Sequence, residues 1–101
     1  MVKAATKKDK ERYQKLADLG CIVCLLWEGA QTPPEIHHPY GRTGDGNQKT
    51  YPLCHKHHNS GKDTEHYTSR HPFKARFEER YETDAELLER TNRLININFT
   101  D

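Results

Sequence analysis

The chain has 101 residues, of which 33% are hydrophobic and 31% are charged, so it forms one domain at most, and apolar burial alone is too small to stabilise it. The formal net charge is only +1, but Lys and Arg predominate in residues 1–62 and Asp and Glu in residues 63–101, which suits a polyanion-binding face and ordinary solvated charge equally. No apolar run is long enough to span a membrane and residues 1–10 lack a signal-peptide core, so we expect a soluble cytoplasmic protein.

The first predicted element is a lysine-rich helix over residues 6–19. Tyr13, Leu16 and Ala17 have the i, i+3, i+4 spacing of one apolar helix face. Gly20 follows directly and predicts the end of this leading basic helix.

The middle of the chain predicts a metal knuckle, a loop and a short hairpin. Residues 21–34 begin with a Cys-x-x-Cys pair and end with two prolines, which exclude a regular helix. Residues 35–38 and 50–53 then predict two short strands on either side of a Gly-rich segment. Pro52 has no N–H group, so only a bare two-stranded hairpin with free edges accommodates it. Such a hairpin needs a helix or a metal ion to stabilise it.

The remainder of the chain predicts helices. Residues 55–59 can begin a short helix before the glycine at position 61. Phe73, Phe77 and Tyr81 recur every four residues, and residues 83–86 match a capping box that opens a further helix. The apolar residues of that last helix are predicted to be core: Leu87, Leu88, Leu94 and Ile95.

The cysteines form the first chemically informative pattern. Cys21 and Cys24 are one pair, and Cys54 with His57 is a second pair of the same spacing. Together they supply the ligand set of a closed, tetrahedral structural zinc site. Zinc binding would add folding free energy on the order of 10 kcal/mol, which would offset the thin core. The alternative, a redox dithiol at Cys21 and Cys24, leaves Cys54 without a use.

The histidines form the second pattern, since the chain has seven of them. His37, His38, His58 and His66 are not needed by the zinc site. Adjacent strand residues point to opposite faces, so His37 and His38 have separate tasks, one holding a metal and the other acting as a base. His58 directly follows the last zinc ligand, which would hold its ring close to the hairpin. The alternative is a looser metal-binding or merely polar surface.

Two segments carry a resemblance to a known family. They read Glu-Ile-His-His at 35–38 and Pro-Leu-Cys-x-x-His-His-Asn at 52–59, with the Cys-x-x-Cys pair before them. This pattern resembles the HNH (ββα-metal) endonuclease motif and is similar to the phage recombination-enhancement (Ref-like) nuclease family. The resemblance extends from about Leu19 to about Leu94.

The resemblance implies an α+β fold: a small zinc-stapled ββα-metal (HNH) core with a short hairpin, flanked by N-terminal and C-terminal helices. It implies one HNH nuclease domain over residues 1–101, composed of a leading basic helix (1–19), the zinc knuckles and ββα-metal core (20–66) and a C-terminal helical tail (67–101).

The resemblance also implies a role for each site residue. His37 and His58 would ligate a second, catalytic divalent cation, which could be Mg²⁺, Mn²⁺, Ni²⁺ or Zn²⁺, and His66 would complete its shell. His38 would be the general base, and Asn47 would orient it through a hydrogen bond. Asn47 lies earlier than in the commonest spacing of the motif, so Gln48 and Asp45 are alternatives for this task.

The implied substrate is DNA, cleaved with low sequence specificity by a phage-encoded enzyme acting in a bacterial cytoplasm. Four basic residues near the site in sequence are candidates for phosphate contacts, which position DNA without reading its sequence: Arg42, Lys49, Lys56 and Lys62. A recombinase filament is an implied partner, although the long basic N-terminal extension of the filament-dependent members is reduced here to the residues before Gly20.

A non-catalytic alternative fits the same basic face. A zinc-stabilised module that binds nucleic acid or a protein partner would need the four zinc ligands but would have no use for His38. Substitution of His38 therefore discriminates between the two functions.

Overall fold

A computed structural model of the chain describes residues 4–99, with side chains to residue 96. Residues 1–3 and 100–101, the ends of the predicted first and last segments, lie outside the described part. That part is α+β, with a two-stranded antiparallel sheet and four α-helices. The elements are α1 (Lys7–Leu19), β1 (Glu35–His37), β2 (Tyr51–Leu53), α2 (His55–His58), α3 (Lys74–Arg80) and α4 (Asp84–Phe99).

Helix α1 begins and ends where the sequence predicts. Thr6 caps it, because the Thr6 hydroxyl accepts from the Asp9 amide at 3.1 Å and the Asp9 carboxylate accepts from the Thr6 amide at 3.0 Å. Gly20 ends it with φ 87°, a conformation that glycine adopts without strain. The predicted apolar face is wrong at Ala17, which is exposed. The buried face instead contains two charged residues with Leu16 and Leu19, namely Asp9 and Arg12.

The predicted hairpin is confirmed. Strands β1 and β2 pair antiparallel with Glu35 opposite Leu53 and His37 opposite Tyr51. His38 lies one residue beyond the end of β1, and a short 3₁₀ turn, Gly46–Gln48, precedes β2. A Cβ atom at position 46 would overlap the backbone of residue 41, so glycine is required where the loop folds back on itself.

The helical tail is confirmed as well. Phe73 and Tyr81 flank α3, and Phe77 in its middle is fully buried. The predicted capping box opens α4, since the Glu86 amide donates to the Thr83 hydroxyl at 3.2 Å and the Thr83 amide donates to the Glu86 carboxylate at 3.0 Å.

Two groups of apolar side chains hold these elements together. The larger group packs the cysteine knuckle against β2 and the tail through residues such as Ile22, Tyr51, Phe77 and Leu87. The smaller group packs α1 against α4 through Leu16, Leu19 and Ile95. Within residues 4–99, no helix has the length and apolar character needed to cross a membrane.

Candidate metal centres

Cys21, Cys24, Cys54 and His57 lie together in the interior, as the sequence predicts for a zinc site. The His57 Nδ1 atom is 3.7, 3.5 and 3.2 Å from the sulfur atoms of Cys21, Cys24 and Cys54, and two of those sulfurs are 3.6 Å apart. Ligands of a tetrahedral ion with bonds of about 2.3 Å to sulfur and about 2.0 Å to nitrogen lie about 3.5–3.8 Å from one another. The four residues therefore fit such an ion.

Local backbone structure creates this arrangement. A single π-helical turn, Cys24–Glu28, follows the first pair, and the Cys24 amide donates to the Cys21 sulfur at 3.4 Å. Cys54 directly precedes α2, so the first turn of that helix returns His57 to the same side. On the far side of the ring, His57 Nε2 is 3.0 Å from a Glu28 carboxylate oxygen. Contact with Cys21 lowers the pKa of the Cys54 thiol, whereas contact with Cys54 raises the pKa of Cys21 and burial raises that of Cys24, so Cys54 is the thiol that ionises first.

A second cluster contains three histidines from three different segments. His37 ends β1, His58 ends α2, and His71 lies in the turn before α3. One ring nitrogen of each lies within 4.8 Å of the others, and His37 Nδ1 is 3.1 Å from His58 Nε2. Two nitrogens bound to one ion at about 2.0–2.1 Å lie about 2.9–3.4 Å apart, so this cluster also fits a metal ion.

Electrostatics keep these rings in the form that binds metal. Burial lowers the pKa of His37, of His58 and of His71 below the ordinary histidine value. The neutral imidazole with a free lone pair is the ligand form. His37 and His58 are buried while His71 is exposed, so the cluster has a closed side and an open side, which a catalytic metal site requires.

His66, the predicted third histidine, does not belong to this cluster. Its ring is 82% exposed and lies 3.2 Å from the carboxylate of Glu65. His71 has no spacing pattern in the sequence that marks it as a ligand instead of His66. Backbone contacts decide between them: the His71 amide donates to the carbonyl of His58 at 3.0 Å, which fixes His71 beside α2.

His38 lies directly beside the histidine cluster in the chain and is half-buried. Its Nε2 atom is 3.2 Å from the hydroxyl oxygen of Tyr13 on α1, a neighbour that no sequence pattern indicated. Burial, assisted by the positive charge of Arg42, lowers the pKa of His38. The ring is thus neutral near pH 7 and can accept a proton.

The three residues considered for orienting His38 have different surroundings. The Asn47 side chain is buried, donates from Nδ2 to Asp9 at 3.2 Å, and lies near enough to His38 to favour its protonated form. Its Oδ1 atom has no hydrogen-bond partner of standard geometry among the described residues. Gln48 donates to Asp9 at 2.6 Å, and Asp45 is exposed and 3.5 Å from Lys49.

The four basic residues chosen from the sequence are at the surface in different settings. Arg42 and Lys62 are exposed, and the Arg42 charge acts on both Tyr13 and His38. Lys49 pairs with Asp45, and Lys56 pairs with Glu28 at 2.9 Å. Arg42 is therefore the basic side chain with the clearest electrostatic link to His38.

The model of the family described as recombination enhancement, RecA-dependent nuclease matches residues 5–96, which includes both clusters. No curated protein matches the chain significantly.

Proposed function

This chain belongs to the recombination enhancement, RecA-dependent nuclease family, and on that premise we propose that it is a metal-dependent HNH (ββα-metal) endonuclease that hydrolyses DNA. The observation that best supports the proposal is the convergence of His37, His58 and His71, with His38 following His37 in the chain. Three imidazoles would hold a catalytic divalent cation, and the adjacent fourth imidazole would act as the base. His71 replaces His66 in this ligand set.

In the proposed reaction, His38 Nε2 takes a proton from a water molecule as the water oxygen forms a bond to phosphorus. The bond from phosphorus to the 3′ oxygen breaks in line, and the released oxygen takes a proton from solvent. The products carry 5′-phosphate and 3′-hydroxyl ends. A divalent cation at the three histidines would supply Lewis-acid stabilisation of the charge on the phosphoryl and leaving oxygens.

Tyr13 and Asn47 would both restrain the base. The Tyr13 hydroxyl contacts the same His38 nitrogen that would take the proton, so the attacking water would replace the tyrosine at the single lone pair of that nitrogen. Asn47 is anchored to Asp9 of α1 and would orient the ring, with Gln48, anchored to the same carboxylate, as the alternative.

The Cys21, Cys24, Cys54 and His57 cluster would hold a structural zinc ion. Three thiolates and one imidazole form a closed shell with no position for substrate. Because β2 and α2 meet at Cys54, zinc binding would also fix the distance between His37 and His58.

Arg42, Lys49, Lys56 and Lys62 would contact phosphates without reading base sequence. The family description names RecA dependence, so we propose DNA within a recombinase filament as one substrate form and a phage as a source of the gene.

The testing experiment measures conversion of supercoiled plasmid to nicked and linear forms by zinc-loaded protein. The assay is run with added Mg²⁺, Mn²⁺ or Ni²⁺, on naked duplex, single-stranded and recombinase-coated DNA. Cleavage that requires the added ion supports the proposal. Folded, zinc-loaded protein that binds all three DNA forms but cleaves none would instead support the non-catalytic binding module.

A further inference from the structure

Each imidazole has two nitrogens, and in two of the three rings of the histidine cluster, His37 and His58, the nitrogen that faces away from the cluster lies near a carboxylate. His58 Nδ1 is 2.8 Å from an oxygen of Glu35, while its Nε2 faces His37. His37 Nε2 is 3.7 Å from an oxygen of Asp84, while its Nδ1 faces His58. The two rings thus use opposite nitrogens toward the cluster, and each has a carboxylate behind it.

We propose that Glu35 and Asp84 are positioning residues that select the tautomers of His58 and His37 and thereby prepare both lone pairs for the catalytic ion. This inference rests on the proposed function, since it concerns the same metal site. Neither residue belongs to the predicted site, and Asp84 lies in the helical tail outside the predicted core of residues 20–66.

A carboxylate selects the tautomer of a neighbouring imidazole because it favours an N–H group on the nitrogen that faces it. An ionised carboxylate only accepts hydrogen bonds, so the proton of His58 resides on Nδ1 beside Glu35. The contact between His37 and Asp84 is longer than a hydrogen bond, but a negative charge close to the buried Nε2 atom favours the proton on that nitrogen. With the opposite tautomers, two N–H groups would face each other across 3.1 Å.

Asp84 is held rigidly for this task. Its carboxylate accepts hydrogen bonds from the Tyr51 hydroxyl at 2.7 Å and from the Arg70 guanidinium at 3.2 and 2.9 Å. The Arg70 guanidinium, 2.9 Å from an Asp84 oxygen, stabilises the charged form of this carboxylate.

The partners of Asp84 come from the segments that carry the ligands. Tyr51 on β2 is the register partner of His37, and Arg70 immediately precedes His71. The Arg70 and His71 amides donate to the carbonyls of residues 57 and 58 in α2. A single carboxylate at the start of α4 thus connects the hairpin to the His71 turn.

Glu35 is more accessible, with 42% of its side chain exposed. Asn59 donates to the same Glu35 oxygen at 3.2 Å, and His55 is 3.4 Å from the other oxygen. Because Glu35 is not part of the core, it can be changed without leaving a buried charge unpaired.

The test uses Glu35→Gln and Asp84→Asn in zinc-loaded protein, with Glu65→Gln as the matched control. Glu65 also pairs with a histidine, His66, but that pair is fully on the surface. Long-range ¹H–¹⁵N spectra of the imidazoles report the tautomers, and calorimetric titration with Mn²⁺ reports affinity at the second site. Thermal unfolding verifies that each variant is folded.

We expect the Nδ1–H tautomer for His58 and the Nε2–H tautomer for His37 in the unsubstituted protein. Glu35→Gln should mix the tautomers of His58 and weaken Mn²⁺ binding about 10- to 100-fold, and Asp84→Asn should do the same through His37. Glu65→Gln should change neither readout. A folded Glu35→Gln variant with unchanged tautomer and Mn²⁺ affinity overturns the inference. Protein that binds no divalent cation at this site contradicts the proposed function, while its spectra still decide the tautomer claim.

Discussion

His37 Nδ1 and His58 Nε2 lie 3.1 Å apart, although the two residues are 21 positions apart in the chain. With the protons of both rings on their outer nitrogens, two lone pairs face each other across this distance and repel, and a cation between them would relieve that repulsion. The hairpin brings one ring to this point and the first turn after Cys54 brings the other. The hairpin, the first turn of α2 and the cysteine cluster that connects them therefore together set the distance between the two histidine rings.

The first prediction separates His71 from His66 as the third ligand. Replacing His71 with Ala should weaken binding of Mn²⁺ at the second site by at least an order of magnitude, since one of three ligands is lost. Replacing His66, whose ring is exposed beside Glu65, should leave the affinity unchanged. Calorimetric titration of both variants decides the question, and a loss of affinity confined to the His66 variant would favour the ligand set predicted from the sequence.

The second prediction concerns the cysteine cluster. Cys54→Ser removes a ligand shared by the hairpin and α2, and the folding free energy from metal, on the order of 10 kcal/mol in small zinc peptides, should largely disappear. We expect loss of the bound zinc and loss of a cooperative transition in thermal unfolding. His55→Ala, which changes an exposed histidine of the same helical turn, should stay within about 0.5 kcal/mol of the original stability. Retention of a full zinc equivalent by the serine variant would contradict the assignment.

The third prediction tests how α1 is attached to the site. Arg12 is buried and its guanidinium donates to both the hydroxyl and the carbonyl of Thr50, just before β2. Arg12→Ala should reduce the free energy of unfolding by about 2–3 kcal/mol, because Thr50 loses charged hydrogen-bond donors. Urea denaturation measures the change. Lys10→Ala on the exposed face of α1 is the control and should have little effect, and equal losses for both would exclude a specific role for Arg12.

The fourth prediction concerns DNA. Arg42→Gln should weaken binding of naked duplex and lower the slope of log K against log salt by about 1, as loss of one phosphate contact requires. Fluorescence anisotropy over a salt series measures both. Arg93→Gln is the control, since Arg93 pairs with Glu89 on α4 at 2.7 Å. If the salt slope falls for Arg93→Gln and not for Arg42→Gln, the DNA binds near α4 and not near Arg42.

Much of the fold could be predicted because the signals were local. The Thr6 and Thr83 capping boxes, the paired prolines and the short apolar runs each act over a few residues, and the elements begin close to where those signals lie. The cysteine cluster could also be predicted from the sequence, because two pairs with ligand spacing have few other uses.

The parts of the site that the sequence did not predict depend on contacts between distant segments. No spacing rule indicates that His71 hydrogen-bonds to the backbone of His58, or that α1 places Tyr13 against His38. Apolar spacing places Ala17 on the apolar face of α1 and does not indicate Asp9 and Arg12, which are buried through hydrogen bonds to the loop and to Thr50. Polar burial of this kind is set by tertiary structure.

The most direct test compares two adjacent residues, His37→Ala and His38→Ala, measuring DNA cleavage as a function of Mn²⁺ concentration together with Mn²⁺ affinity. We expect His38→Ala to bind the ion as the original protein does but to cleave about 10²- to 10⁴-fold more slowly, and His37→Ala to lose affinity and cleavage together. A His38→Ala variant that cleaves at the original rate would contradict the assignment of the base and, with it, the proposed nuclease site.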